Sequence, residues 1–216
     1  MSQQSNMPRT AIIGYGELGQ QFKIHLEQTG KFELLFFDDI AYSKNIPDSF
    51  EFSSFQEDKY SLYQFYIALG YKHLEKKKEI LSLLNTLGRK SGVFIHNSTY
   101  VNSTASIGQG TFIYPMCTID KEVQINEGCL INNGVIISHD STVGECSYIS
   151  PGVVISGNVN IGSCSFLGSG TVVSNNVNIG DNVVIGAGTV VTKDIPANAN
   201  VIGNPMRILS EKIKLV

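Results

Sequence analysis

The chain has 216 residues, 42% of them hydrophobic and 16% charged, with 21 glycines and no tryptophan, which allows a buried core and many tight turns. A formal net charge of −3 leaves no electrostatic footprint for nucleic acid. The polar start MSQQSNMPRT lacks the apolar stretch of a secretory signal, and no apolar run approaches the ~20 residues of a membrane span, so a soluble cytoplasmic protein is expected.

In chain order, RTAIIGYG reads as a strand, ELGQQFKIHLEQTG as a helix closed by Gly30, and KFELLFFDD as a second strand ending in Asp38 and Asp39. SLYQFYIALG reads as a third strand, followed by a helix over YKHLEKKKEILSLLNTLG. On that helix the residue types place Lys76, Lys77 and Lys78 in solvent and Leu74, Leu81, Leu84 and Leu87 inward. The order predicts a small parallel α/β domain over residues 1–90, a half-Rossmann arrangement. Gly14-x-Gly16-x-x-Gly19 between the first strand and helix matches a phosphate-binding turn, in which small residues let the backbone approach a phosphate at a helix N-terminus. Gly14, Tyr15 and Gly16 are the candidate contacts, and Asp38 or Asp39 could accept hydrogen bonds from a ribose or base. A dinucleotide needs two such halves and the chain has one, so a single nucleotide suits it better than NAD. A purely structural glycine turn remains the alternative.

From Ile95 to Val191 every sixth residue is Ile, Leu or Val, through seventeen consecutive positions without a slip in register. The fourth residue after many of these is small, as at Thr111, Cys117, Ser141, Thr171 and Thr189. A period of six fits neither a helix nor a long strand, but it does fit a solenoid of very short strands with one corner per hexad. Three hexads make one triangular coil of a left-handed parallel β-helix, with residues 18 apart stacked about 4.8 Å above one another. This second domain is expected over residues 91–206, followed by a C-terminal tail at 207–216.

The four cysteines, Cys117, Cys129, Cys146 and Cys164, form no CxxC pair and read as small apolar fillers rather than a zinc site. Cys117 and Cys129 occupy the inward slot; Cys146 and Cys164 fall one residue earlier, near the corner. Within IISHDSTVG, His139 sits at a corner that can face outward, beside Asp140, which could orient its ring. Strict strand alternation would keep these two side chains apart, whereas a corner would permit the contact. A pair merely solvated at a corner is the plainer reading. His96 and His139 lack the third histidine that a gamma-class carbonic anhydrase needs.

These residues resemble the bacterial nucleotide-aminosugar acetyltransferases of the PglD, NeuD and VioB type. The likeness runs through the glycine turn, FFDD, IALGYKHLEKKKEI, FIHNS, NNGVIISHDSTVGECSYISPG, GNVNIG and VIGNPMR. The resemblance implies transfer of acetyl from acetyl-CoA to the C4 amine of a UDP- or dTDP-linked 4-amino-4,6-dideoxy sugar, without a metal, by a homotrimer whose active sites lie between subunits. It implies His139 as general base and Asp140 as its acidic neighbour. Tyr148, Ser169 and Ala187 would contact acetyl-CoA, Asn132 would hold substrate, and the nucleotide would rest in the N-terminal domain. The family often has Gly-x-x-Gly-His-Gly where this chain has GYGELGQ, His where Tyr148 stands, and Glu where Asp140 stands. A sugar or sialic acid O-acetyltransferase, a non-catalytic binding solenoid and a nicotinamide enzyme are the alternative functions.

Overall fold

A computed structural model describes residues 8–30 and 32–209. The chain forms two compact units: one takes in the chain up to Gly70 together with Glu79–Gly92, the other Tyr71–Lys78 and the chain from Val93 onward. The polar start through Met7, and the part of the expected tail from 210 to 216, lie outside the described residues.

The N-terminal unit is built from β1 (Arg9–Ile13), α1 (Glu17–Thr29), β2 (Glu33–Phe37), α2 (Asp39–Ser43), β3 (Ser49–Phe50), β4 (Gln64–Ile67), the end of α3 (Leu74–Thr86) and β5 (Lys90–Ser91). All five strands are parallel, in the order β3-β2-β1-β4-β5. The apolar runs AII and LFF are buried in the sheet, and α1 buries Phe22 and Leu26 at i, i+4 spacing. The short elements α2, β3 and β5 are additions to the predicted order.

Helix α3 corrects the charge reading. Its buried side chains are Leu74, Lys77, Ile80, Leu81 and Leu84, so Lys77, only 1% exposed, lies on the apolar stripe. The 3-4-3 spacing from Leu74 through Lys77 and Leu81 to Leu84 places it there, whatever its residue type. Lys78 instead pairs with Glu145 at 2.9 Å. Leu87 falls beyond the helix end and is 38% exposed.

The second unit is the left-handed β-helix that the hexads foretold. Seventeen two-residue strands run from Phe94–Ile95 to Val190–Val191, each ending on the expected aliphatic residue. They form three parallel sheets with partners 18 residues apart, as in Thr118↔Ile136 and Ile137↔Ile155. The second residue of each strand points inward; from Ile113 to Val191 all are buried. Ile95, at 38% exposure, shows the reason for the exception: the first coil has no coil beneath it. The outward residues give each face its character. One sheet presents Ile136, Val154, Val172 and Val190; the second presents Gln124, Thr142, Asn160 and Asn178; the third presents Phe112, Leu130, Tyr148 and Phe166. We call them the aliphatic, polar and aromatic faces. The third sheet continues into Asn200–Ile202, which pairs antiparallel with Arg207–Leu209, the opening residues of the expected tail.

Each corner has four residues, and its third is left-handed from Gly110 to Gly188, for example Asp140 at φ 58°, Cys146 at 57° and Asn158 at 58°. Glycine, Asn and Asp dominate because they tolerate this region most cheaply. The fourth corner residue is the buried small slot. There Ser141 Oγ donates to the Ser156 carbonyl at 3.0 Å and accepts the Val159 amide at 3.1 Å. Ser147 does the same with Gly162 and Ser165, at 2.8 and 3.1 Å. In equivalent slots the thiols of Cys117 and Cys129 donate to the carbonyls of Asn132 and Gly144, both at 3.1 Å. The expectation of inert fillers is therefore corrected: these thiols staple one coil to the next. Cys146, expected near the corner, is left-handed and fully buried, while Cys164 is partly exposed.

Candidate active site

His139 and Asp140 are the second and third residues of the corner that leads from the aliphatic to the polar face. Left-handed backbone at Asp140 breaks the alternation that would send their side chains apart, so both emerge outward, 44% and 38% exposed. His139 Nδ1 lies 2.7 Å from Asp140 Oδ2, and Lys121 Nζ, one coil below, lies 3.3 Å from the same oxygen. The hydrogen bond from His139, then that from Lys121, holds the Asp140 carboxyl below its usual value of 3.8. Asp140 is therefore ionised at neutral pH and can only accept. Neutral His139 must then carry its proton on Nδ1, leaving the Nε2 lone pair free to take another.

Asn132, Ser169 and Ala187 occupy the other edge of the aliphatic face, in corners that precede its strands. Ser169 and Ala187 are exposed and stand one coil apart. Asn132 Nδ2 donates to the Tyr148 hydroxyl at 3.2 Å, leaving the phenol proton free to bond elsewhere. The Tyr148 ring is held by Tyr71 and Phe166, with centroids at 5.6 and 5.7 Å, and burial raises its hydroxyl pKa. Within one chain the structure thus joins Asn132 to Tyr148 and His139 to Asp140, but sets the two pairs on different edges of the prism. The largest hollow along the polar side, about 530 Å³, is lined by Ser106, Gly108, Asn126, Glu127, Glu145 and Ser163 and excludes His139. Among the described residues, no three or more His, Cys, Asp and Glu are arranged to hold a metal ion.

In the N-terminal unit the glycine turn is tight. A Cβ on Gly19 would lie 2.1 Å from the Gly14 carbonyl oxygen, and Gly14 itself has φ 99°. Gly16 opens α1 with nothing within 4 Å of where its Cβ would be. Asp38 is built into the turn: one oxygen accepts the Tyr15 amide at 3.0 Å and the other caps α2 through the Ala41 amide at 2.8 Å. Asp39 Oδ1 accepts the Phe52 amide at 2.8 Å. The Tyr15 ring meets Phe36 edge-on at 4.8 Å, and these two, with Phe32, Lys23 and Pro47, line a cavity of about 260 Å³. Sequence reading missed Lys121, whose only signal is its place 18 residues before His139.

Residues 93–204 match the family described as the GMPPB C-terminal domain. The chain belongs to that family. Among solved structures, the acetyltransferase domain of PglB from Neisseria gonorrhoeae FA1090 is 27% identical, with a TM-score of 0.85 over 93% of this chain and 99% of that one. The same domain in complex with acetyl coenzyme A gives 26% identity and a TM-score of 0.84 over 94% and 100%. PerB from Caulobacter crescentus, in complex with CoA and GDP-perosamine, shares the fold at 24% identity, with a TM-score of 0.85 over 95% and 99%. Comparison with curated proteins gave no match. The family and its solved relatives bear out the resemblance to hexapeptide-repeat sugar acetyltransferases.

Proposed function

We propose that this chain transfers acetyl from acetyl-CoA to the C4 amine of a nucleotide-linked 4-amino-4,6-dideoxy sugar, with UDP or dTDP as the nucleotide. The observation that carries the reading is the outward His139 ring, braced at Nδ1 by an ionised carboxylate. It stands on a solenoid like that of a domain solved with acetyl coenzyme A. The amine nitrogen attacks the thioester carbonyl, the C–N bond forms, and His139 Nε2 takes the amine proton. The C–S bond then breaks, and the imidazolium returns that proton to the departing CoA thiolate. Asp140 stabilises the imidazolium meanwhile. Ser169 and Ala187, small and one coil apart, leave an open edge for the pantetheine arm, with the Tyr148 hydroxyl as a donor beside it. The glycine turn and the Tyr15 cavity hold the nucleotide. Asp38 and Asp39 act there partly by shaping the loop.

The working form is a homotrimer in the cytoplasm, where acetyl-CoA and nucleotide sugars are made. Two features support the assembly: His139 and the Ser169–Ala187 edge flank the aliphatic face instead of meeting, and that face exposes Ile136 and Val172 at 41% and 38%. A second copy covering it would bring its own edge to His139.

The test is turnover of His139→Ala with UDP-, dTDP- and GDP-linked amino sugars. A fall of about a hundred- to ten-thousandfold in kcat is expected, with acetyl-CoA still raising the melting temperature. Undiminished turnover would remove His139 from the mechanism. Transfer to sugar hydroxyls in preference to amines would move the assignment to O-acetylation.

A further inference from the structure

Gly157 stands directly over His139, 18 residues on in the same corner position, in a column that runs Lys121, His139, Gly157, Asn175. A Cβ on Gly157 would lie 2.5 Å from His139 Cε1, 2.6 Å from Nε2 and 3.2 Å from Nδ1. The first two distances are shorter than any real carbon contact, so the imidazole already fills the space a side chain would need. Backbone conformation does not explain this glycine, because Gly157 lies outside the left-handed region. Gly152 and Gly170 are the converse case: both are left-handed, with nothing within 4 Å of where a Cβ would be.

Something must move if a side chain is added, and the backbone is the stiffer partner. The Gly157 amide donates to Asn175 Oδ1 at 2.9 Å, and its carbonyl accepts the Asn176 amide at 3.1 Å. The His139 ring is half-exposed, on two rotatable bonds, and is held in place by one contact to Asp140 and by the surface beneath it.

Resting on the reading of His139 as the base, we propose that Gly157 is a positioning residue. Its bare Cα is the seat that turns Nδ1 toward Asp140 and presents Nε2 outward. A side chain there evicts the ring at little expense to the fold, so activity falls where stability does not.

The experiment compares Gly157→Ala, His139→Ala and the double variant with the unaltered protein, and follows the Asp140 carboxyl titration by carbon NMR in each folded protein. For Gly157→Ala, kcat is expected to fall about a hundredfold, as for an ångström-scale misplacement, with KM for acetyl-CoA and the melting temperature little changed. The Asp140 midpoint should rise toward its ordinary value as the ring leaves. In the His139→Ala background the second substitution should cost nothing more, since Gly157 acts only through the ring. Unchanged kcat with an unmoved Asp140 titration would overturn the proposal. So would a double variant much slower than His139→Ala, which would mark a general structural role. Should His139→Ala itself turn over normally, the catalytic reading falls, and the seat is then decided by whether Gly157→Ala shifts the Asp140 titration.

Discussion

Ser141 ties the catalytic corner to the coil above it, and its hydroxyl can be removed without altering the surface. It is fully buried, donating to the Ser156 carbonyl at 3.0 Å and accepting the Val159 amide at 3.1 Å. In Ser141→Ala both bonds are lost, each worth about 1 kcal/mol net, and the stranded buried Val159 amide adds about 1–3 kcal/mol. Taken with partial relaxation, a loss of about 2–4 kcal/mol is expected, or about 4–16 °C in melting temperature for a chain of this size. Equilibrium urea unfolding and calorimetry on the assembled protein measure it. Ser141→Cys provides the internal control, because Cys117 and Cys129 already make the donor half of this staple at 3.1 Å. The cysteine variant should lose clearly less than the alanine variant. An alanine variant within about 0.5 kcal/mol of the parent, the range of a featureless surface change, would refute the staple reasoning. So would a cysteine variant as unstable as the alanine one.

Burial lowers the pKa of Lys77 from 10.5, so the unfolded chain binds more protons between the depressed value and 10.5, and stability rises with pH through that window. Lys77→Met should add about 1–2 kcal/mol near neutral pH and flatten the alkaline rise; a destabilised variant, or one with the same alkaline slope, contradicts the assignment. Burial also pushes the Cys129 and Cys146 thiols up to about 12. In native protein at pH 8 a thiol reagent should therefore modify Cys164 first and leave these two intact until unfolding, which peptide mass mapping will show.

The solenoid was legible because its two strongest requirements, an aliphatic residue inside and a small one behind it, repeat often enough to exclude accident. The position of His139 outside the prism followed from the same frame. Its contact with Asp140 did not, because that depends on a left-handed residue, and only Gly advertises one plainly. Asp140, Cys146 and Glu122 adopt the same backbone without any such signal. Lys77 misled for the opposite reason: its charge argued for solvent while its spacing argued for the core, and the spacing prevailed. In the glycine turn the sequence displays Asp38 as a free acceptor, whereas the fold engages both its oxygens with backbone amides. The join between Asn132 and Tyr148 is a bond between neighbouring coils, invisible until the 18-residue offset is laid out in space.

The coiled half of this molecule keeps time as well as shape. Excising Asn160–Val177, one whole revolution, would leave every later side chain facing as before, merely one storey lower. Excising six residues, Asn160–Ser165, would instead rotate everything downstream by a third of a turn and carry Ser169 and Ala187 away from the edge they share with Asn132. Length changes in such a chain are therefore either silent or disruptive according to divisibility, and a lineage can lengthen the platform only in whole revolutions if the cofactor edge is to survive.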